Sequence, residues 1–120
     1  MSVRELVIKP DELAHFPDGA GYRWLELFDP VGSYGHAAIC QRKAMLELHV
    51  SLTRWGPNIR RSMVSDVEWL KGEGRRLGVS RITGMRADAS GVFAPELFRF
   101  ARLFGFSEQS VVQFATMELD

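Results

Sequence analysis

The sequence predicts an α+β (mixed α/β) domain, a central, mostly antiparallel twisted sheet with helices packed on it. Three observations carry that expectation. Residues 44–54 alternate apolar and polar, as a strand with one buried face does. From Ile59 the period changes: Ile59, Met63, Val67, Leu70, Gly74 and Leu77 recur at steps of three and four, one stripe of a helix. Several strand-like runs precede that stripe, and a strand, a helix and a strand follow it, which is the order of a sheet that carries helices.

Taken in chain order, "RELVIK" (4–9) reads as a short strand ended by Pro10, and "DELAHF" as a helical turn with Asp11 as its N-cap. "PDGAG" (17–21) reads as a turn. "YRWLELF" (22–28) is a strand and "DPVGSYG" (29–35) the turn after it. "HAAICQRK" (36–43) and "AMLELHVSLTR" (44–54) are two further strands with little between them. In the second, Leu46, Leu48, Val50 and Leu52 point to the core, while Met45, Glu47, His49, Ser51 and Thr53 form a polar face. A long helix runs from Asn58 to its stop at Gly78, weakened locally by Gly72 and Gly74. "VSRITGM" (79–85) is a strand and "RADASG" (86–91) a loop. "APELFRFARLF" (94–104) is a short apolar helix with Pro95 in its first turn and Gly105 closing it. "SVVQFATMEL" (110–119) is a final strand.

The 120 residues fit a single domain, 1–120. Apolar content of 46% and charged content of 25% match an ordinary globular chain and exclude a disordered or fibrous one. A single cysteine, Cys40, excludes an internal disulfide and a multi-cysteine metal site, and it suits a reducing, cytoplasmic setting. In "AAIC" it reads as a small buried apolar group rather than a nucleophile. His15, His36 and His49 lack metal-ligand spacing, so no metal is expected. "MSVRELVIKPDEL" shows no secretory signal, and no run approaches the ~18 apolar residues of a membrane span.

The formal net charge is zero but unevenly spread. Residues 54–102 hold ten Arg or Lys against five acids, so this stretch either meets an anion or is a solvated face. No nucleic-acid-binding motif accompanies it, and nucleic acid is not expected as a partner. Trp24, Trp55 and Trp69 read as packing residues.

The order of elements over residues 44–119, with Gly78 in "RRLGVSRITGM" and Gly105-Phe106 in "FRFARLFGF", resembles the GNAT superfamily of acetyltransferases. The "RFARLFGF" turn is also similar to small GNAT-like proteins of tailed phages. The resemblance implies acyl transfer from acetyl-CoA to an amine. In that family the pyrophosphate sits on backbone N–H groups at the start of the long helix, through a Gln/Arg-x-x-Gly-x-Gly/Ala loop. A general base deprotonates the amine, a fourth-strand N–H stabilises the oxyanion, and a general acid, often a Tyr on the last helix, protonates the thiolate.

Counted back from Gly78, the family loop falls on Asn58, Ile59, Arg60, Arg61, Ser62 and Met63, with Arg61 and Met63 at the glycine positions. A shifted register would use Arg54 and Gly56, followed by Pro57, which removes a donor. The usual Tyr position holds Ala101, so Tyr22 or Tyr34 would have to reach in from elsewhere. The backbone of Ser51 or Leu52 is expected to meet the thioester. Glu47 is the first candidate base and His49 the second; otherwise the two are a solvent-facing pair. Arg60 and Arg61 oppose the helix dipole at a cost of about 0.3–1 kcal/mol each, which an anion would offset. Alternatively they reach a neighbouring carboxylate or water. The sequence thus supports two readings: an acetyl-CoA-dependent N-acetyltransferase with a degenerate cofactor loop, acting on an amine acceptor, or a catalytically inactive GNAT-fold binding or structural module, phage-encoded in one version. In either, a homodimer would cover a half-covered sheet.

Overall fold

The computed structural model describes residues 3–85, 95–109 and 115–119. In chain order they form β1 (Val3–Leu6), a 3-10 turn (Asp11–Leu13), β2 (Arg23–Asp29), β3 (Gly32–Arg42), β4 (Met45–Leu52), α1 (Pro57–Leu77), β5 (Arg81–Gly84) and α2 (Pro95–Arg102). The five strands make one sheet in the order β1-β2-β3-β4-β5. The first three junctions are antiparallel and β4–β5 is parallel. A parallel neighbour needs a crossover, and α1 supplies it. The mostly antiparallel mixed sheet with helix packed on it is the one the sequence predicts. Among the described residues no helix is long and apolar enough to cross a membrane.

Local chemistry explains the element ends. Asp29 accepts the N–H groups of Val31 (2.9 Å) and Gly32 (3.1 Å), which closes the β2–β3 turn at once. The turn expected over 29–35 is therefore shorter, and β3 already begins at Gly32. β1 ends at Leu6, leaving Val7 and Ile8 exposed. Pro10, not Asp11, stands at the cap position of the 3-10 turn, and no side chain caps it. Pro57 opens α1 at its first position, where a missing N–H costs nothing. Gly78 ends α1 in the left-handed conformation (φ 75°), and the N–H groups of Gly78 and Val79 bond back to Arg75 and Gly74. The expected loop 86–91 lies outside the described residues, as do 110–114 of the expected final strand. Ala115–Leu119 form no strand.

α1 lies on one face of the sheet through Ile59, Met63, Leu70 and Gly74. Leu70 packs with Leu25, Ala37, Ile39 and Leu46; Ile59 and Met63 pack with Leu27, Tyr34 and Phe104, the last from just beyond α2. Each such side chain contributes about 1.5–3 kcal/mol when fully buried. The stripe also holds Asp66, which accepts a hydrogen bond from the buried Tyr34 hydroxyl. Gly35 is needed where β3 crosses close to β4, because a Cβ there would lie 2.6 Å from the Ser51 carbonyl oxygen. On the opposite face Leu13 and Phe16 cover the middle of β3 and β4, and Cys40 is buried as expected.

α1 is tied to the sheet by charge as well. Arg23 on β2 bridges Glu5 (2.6 Å) and Glu73 (2.7 Å), and Arg76 also pairs with Glu73 (2.7 Å). The Arg76 hydrogen bonds, helped by Arg23, outweigh desolvation and push the Glu73 carboxyl down to about 2. A carboxyl with a depressed native pKa stabilises the fold above its unfolded value and loses that contribution as pH falls. Stability should therefore drop as pH falls from about 4.5 towards 2. In Glu73→Gln that part of the acid limb should flatten in denaturant melts; an identical acid limb would mean that the Arg23–Glu73–Arg76 bridge contributes nothing.

Candidate functional site

β5 accompanies β4 only from the Met45–Arg81 pair to the Leu48–Gly84 pair. Its last bond is from the Met85 N–H to the Leu48 carbonyl (2.9 Å). Beyond this point β4 runs on to Leu52 with no β5 partner among the described residues. Peptide groups alternate sides along a strand. Ser80 bonds Ala44 and Met85 bonds Leu48, so even-numbered residues face β5. Val50 and Leu52 therefore direct their N–H and C=O groups into the open gap. Ser51 lies opposite His36, its peptide turned towards β3, and cannot offer its N–H there. Of the two backbone positions expected to meet a thioester, Leu52 is available and Ser51 is not. Val50, missed in the sequence, is readable from strand parity once Leu48 is fixed.

The gap leads to the N-terminus of α1. The first helical bond runs from Arg60 N–H to Gly56 C=O (2.9 Å), so the N–H groups of Asn58 and Ile59 have no helical partner and Pro57 has none to give. The loop before the helix is 53–56, the shifted register, and not 58–63. Asn58 to Met63 lie within α1. Ile59 and Met63 are 3% and 5% exposed and point into the core, so their side chains cannot meet a cofactor. Position 63 lies in the second turn, where a helix uses its own N–H groups. Arg60 is exposed; Arg61 bonds the Asn58 side chain. Asn58, Arg61 and Ser62, with Asp29, Pro30 and Val31, line a cleft of about 350 Å³. Arg54 is held away by Asp29 (2.9 Å) and the Gly32 carbonyl (3.1 Å). Trp55, half exposed, meets the Phe100 ring edge-on at 5.2 Å.

On the sheet face away from α1, the two candidate bases come together. Glu47 is only 8% exposed, and its Oε2 accepts from the Tyr22 hydroxyl (2.6 Å) and pairs with His49 Nε2 (2.7 Å). Arg42 lies 3.6 Å from the other oxygen, with its guanidinium over the Tyr22 ring at 5.5 Å. Phe16 covers His49 at 4.8 Å. Burial alone would raise the Glu47 carboxyl. The hydrogen bonds from Tyr22 and His49 and the charges of His49 and Arg42 outweigh it, and the carboxyl lies below its usual value. The same Glu47 bond, with burial, raises the Tyr22 phenol. A carboxylate so occupied orients a partner better than it takes a proton, and His49 is the freer of the two. The solvent-facing pair is excluded for Glu47 by its burial. Tyr22 and Arg42 reach Glu47 through the β2–β3–β4 register, which no local pattern encodes. Tyr34, the other tyrosine, is fully buried against Asp66 and does not open on this site. Among the described residues no cluster of His, Cys, Asp or Glu could hold a metal.

No family model and no curated protein matches the chain. Solved structures do. The chain superposes on AAC(6')-Iy, solved in complex with the bisubstrate analogue CoA-S-monomethyl-acetylneamine, with TM-score 0.60 and 12% identity over 98% of this chain and 97% of that one. The V. cholerae integron cassette protein VCH_CASS6 gives TM-score 0.60 and 12% identity over 86% of this chain. An aminoglycoside acetyltransferase from an uncultured soil metagenomic sample gives TM-score 0.53 and 19% identity over 84% of this chain and 69% of that one. The chain spans 65% of the V. cholerae protein and 66% of a matched Pyrococcus furiosus structure, just under two thirds of each. At these identities the likeness concerns the fold, which is that of the GNAT N-acetyltransferases.

The Glu47 contacts are directly testable. The Tyr22 phenol should ionise above its ordinary range in an NMR titration of its ring, and Glu47→Gln should bring it down. A Tyr22 titration that Glu47→Gln leaves in place would remove the hydrogen bond from this account.

Proposed function

We propose that this chain binds acetyl-CoA in the gap beside β4 and transfers the acetyl group to an amine. The carrying observation is the open edge of β4. There the Val50 and Leu52 peptide groups face the gap, His49 stands next to Val50 with its side chain on the face away from α1, and the α1 N-terminus follows the end of the strand. When bound, acetyl-CoA supplies an activated acetyl thioester. One of the two N–H groups, that of Leu52 or that of Val50, would hold its carbonyl oxygen. The Asn58 and Ile59 N–H groups, with the side chains of Arg60, Arg61 and Ser62, would hold the pyrophosphate.

His49 acts as the base. With Nε2 turned to Glu47, Nδ1 is the atom left to take the proton from the acceptor amine, directly or through water. Glu47 fixes the ring and steadies its charge once protonated, and Tyr22 holds Glu47. This reverses the order of candidates drawn from the sequence and makes Glu47 a positioning residue.

A second reading, a GNAT-fold binding module without catalysis, is favoured by the α1 N-terminus itself. Pro57 removes one donor, and no glycine stands at positions 57–63 to let a diphosphate come close. Acetyl-CoA titration separates the readings. A ligand at 100 times its Kd adds about 2.7 kcal/mol to stability. A thermal upshift with acetyl-CoA, weakened in the Arg60→Ala, Arg61→Ala double variant, is the expected result; no upshift at millimolar acetyl-CoA would leave the binding module. His49→Ala should lower turnover by about 10²–10⁴ without weakening acetyl-CoA binding. Unchanged turnover would remove His49 as the base.

A further inference from the structure

The β3–β4 turn and the start of β5 enclose a second cleft, of about 620 Å³, lined by Gln41, Arg42, Lys43, Ala44, Met45 and Arg81. Three of its six lining residues are cationic and none is acidic. Register fixes where it opens. Arg42 lies opposite Met45, and Met45 pairs with Arg81, so the three side chains share one face of the sheet. Glu47 stands two residues further along β4 and therefore shares it too. This is the face on which Glu47 and His49 meet, away from α1. The cleft and the proposed base thus lie on the same face of the sheet, and Arg42 touches both. Its guanidinium lies over Tyr22 and 3.6 Å from Glu47 at one side, and lines the cleft at the other. Among the described residues no ion pair engages Lys43 or Arg81. Lys43, at the tip of the turn in the left-handed conformation (φ 53°), is exposed, as is Arg81.

We infer that this cleft holds an oxyanion, a phosphate or a carboxylate. Resting on the transferase reading, the inference goes one step further: the acceptor is an amine that also carries such an anionic group. The nitrogen lies towards His49 and the oxyanion towards Arg42, Lys43 and Arg81. Arginine suits this task, because its planar fork pairs two oxygens of one group. The same three cations repel an acceptor that carries only positive charge. The acetyl-CoA gap is separate, since it opens beyond Leu48 at the other end of β4.

The test titrates the acetyl-CoA-free chain with O-phosphoserine, which carries both groups, and with spermidine, which carries only amines. Backbone amide NMR follows both. Phosphoserine should move the resonances of residues 41–45 and 81, and spermidine should not. The Lys43→Ala, Arg81→Ala double variant should bind phosphoserine at least about tenfold more weakly, as expected for losing charge-assisted hydrogen bonds. Its acetyl-CoA thermal shift should stay that of the parent chain. Phosphoserine binding that the double variant leaves unchanged, or spermidine binding as tight as phosphoserine, overturns the inference. A chain that binds phosphoserine here but no acetyl-CoA keeps the oxyanion cleft and loses the transferase reading. One that binds acetyl-CoA but not phosphoserine does the reverse.

Discussion

The parallel seating of β5 against β4 is the constraint from which the rest of the structure follows. An antiparallel neighbour could have followed β4 through a tight turn. A parallel one must return the chain to the starting end of the sheet, and α1 makes that return over 21 residues. Burial of Ile59, Met63, Leu70 and Gly74 keeps the return tight against β2, β3 and β4. The Glu73 bridges to Arg23 and Arg76 tie the far half of α1 to the same sheet. With α1 so placed, its N-terminus must lie beside the end of β4. Among the described residues, β5 then covers only the first half of β4. The open peptide edge and the helix N-terminus are consequences of one crossover, and the proposed acetyl-CoA site rests on these two features.

The opposite face is organised by a single buried carboxylate. Glu47 has little access to water, and its charge persists because Tyr22, His49 and Arg42 surround it. Removing one of these donors would leave a buried charge less well paired, which costs more than the lost bond alone. The carboxylate that looks like a base in the sequence is the more fully engaged of the two, and the proposed roles of His49 as base and Glu47 as its support rest on that. Arg42 links this cluster to the basic cleft at the β3–β4 turn, so charge on that side of the sheet is graded from anionic at Glu47 to cationic at Arg81.

Much of the fold was legible because its signals are periodic and local. The alternation from Met45 to Leu52 and the three-four stripe from Ile59 to Leu77 each bury the face they suggest, apart from half-exposed Val50 at the open edge. Gly78 stops α1 where expected, for the expected reason. Boundaries set by single contacts were not legible. Asp29 shortens a turn by capturing two N–H groups, and α1 starts at Pro57, one residue before the expected Asn58. Counting back from Gly78 at the family's helix length set the expected cofactor loop, 58–63, on residues that lie inside α1. Within the candidate site, Glu47 and His49 were readable as neighbours because they share a strand face. Tyr22 and Arg42 were not, because they meet Glu47 only through pairing of three strands.

The central claim is that β4 is open to a ligand beyond Leu48, and amide hydrogen exchange read residue by residue tests it most directly. In the free chain the Val50 and Leu52 amides should exchange much faster than those of His49 and Ser51, which face β3. Saturating acetyl-CoA should then slow Leu52 or Val50 selectively. Val50 and Leu52 amides as protected as their neighbours in the free chain would mean that the edge is already closed, and the account of the site built on it would be wrong.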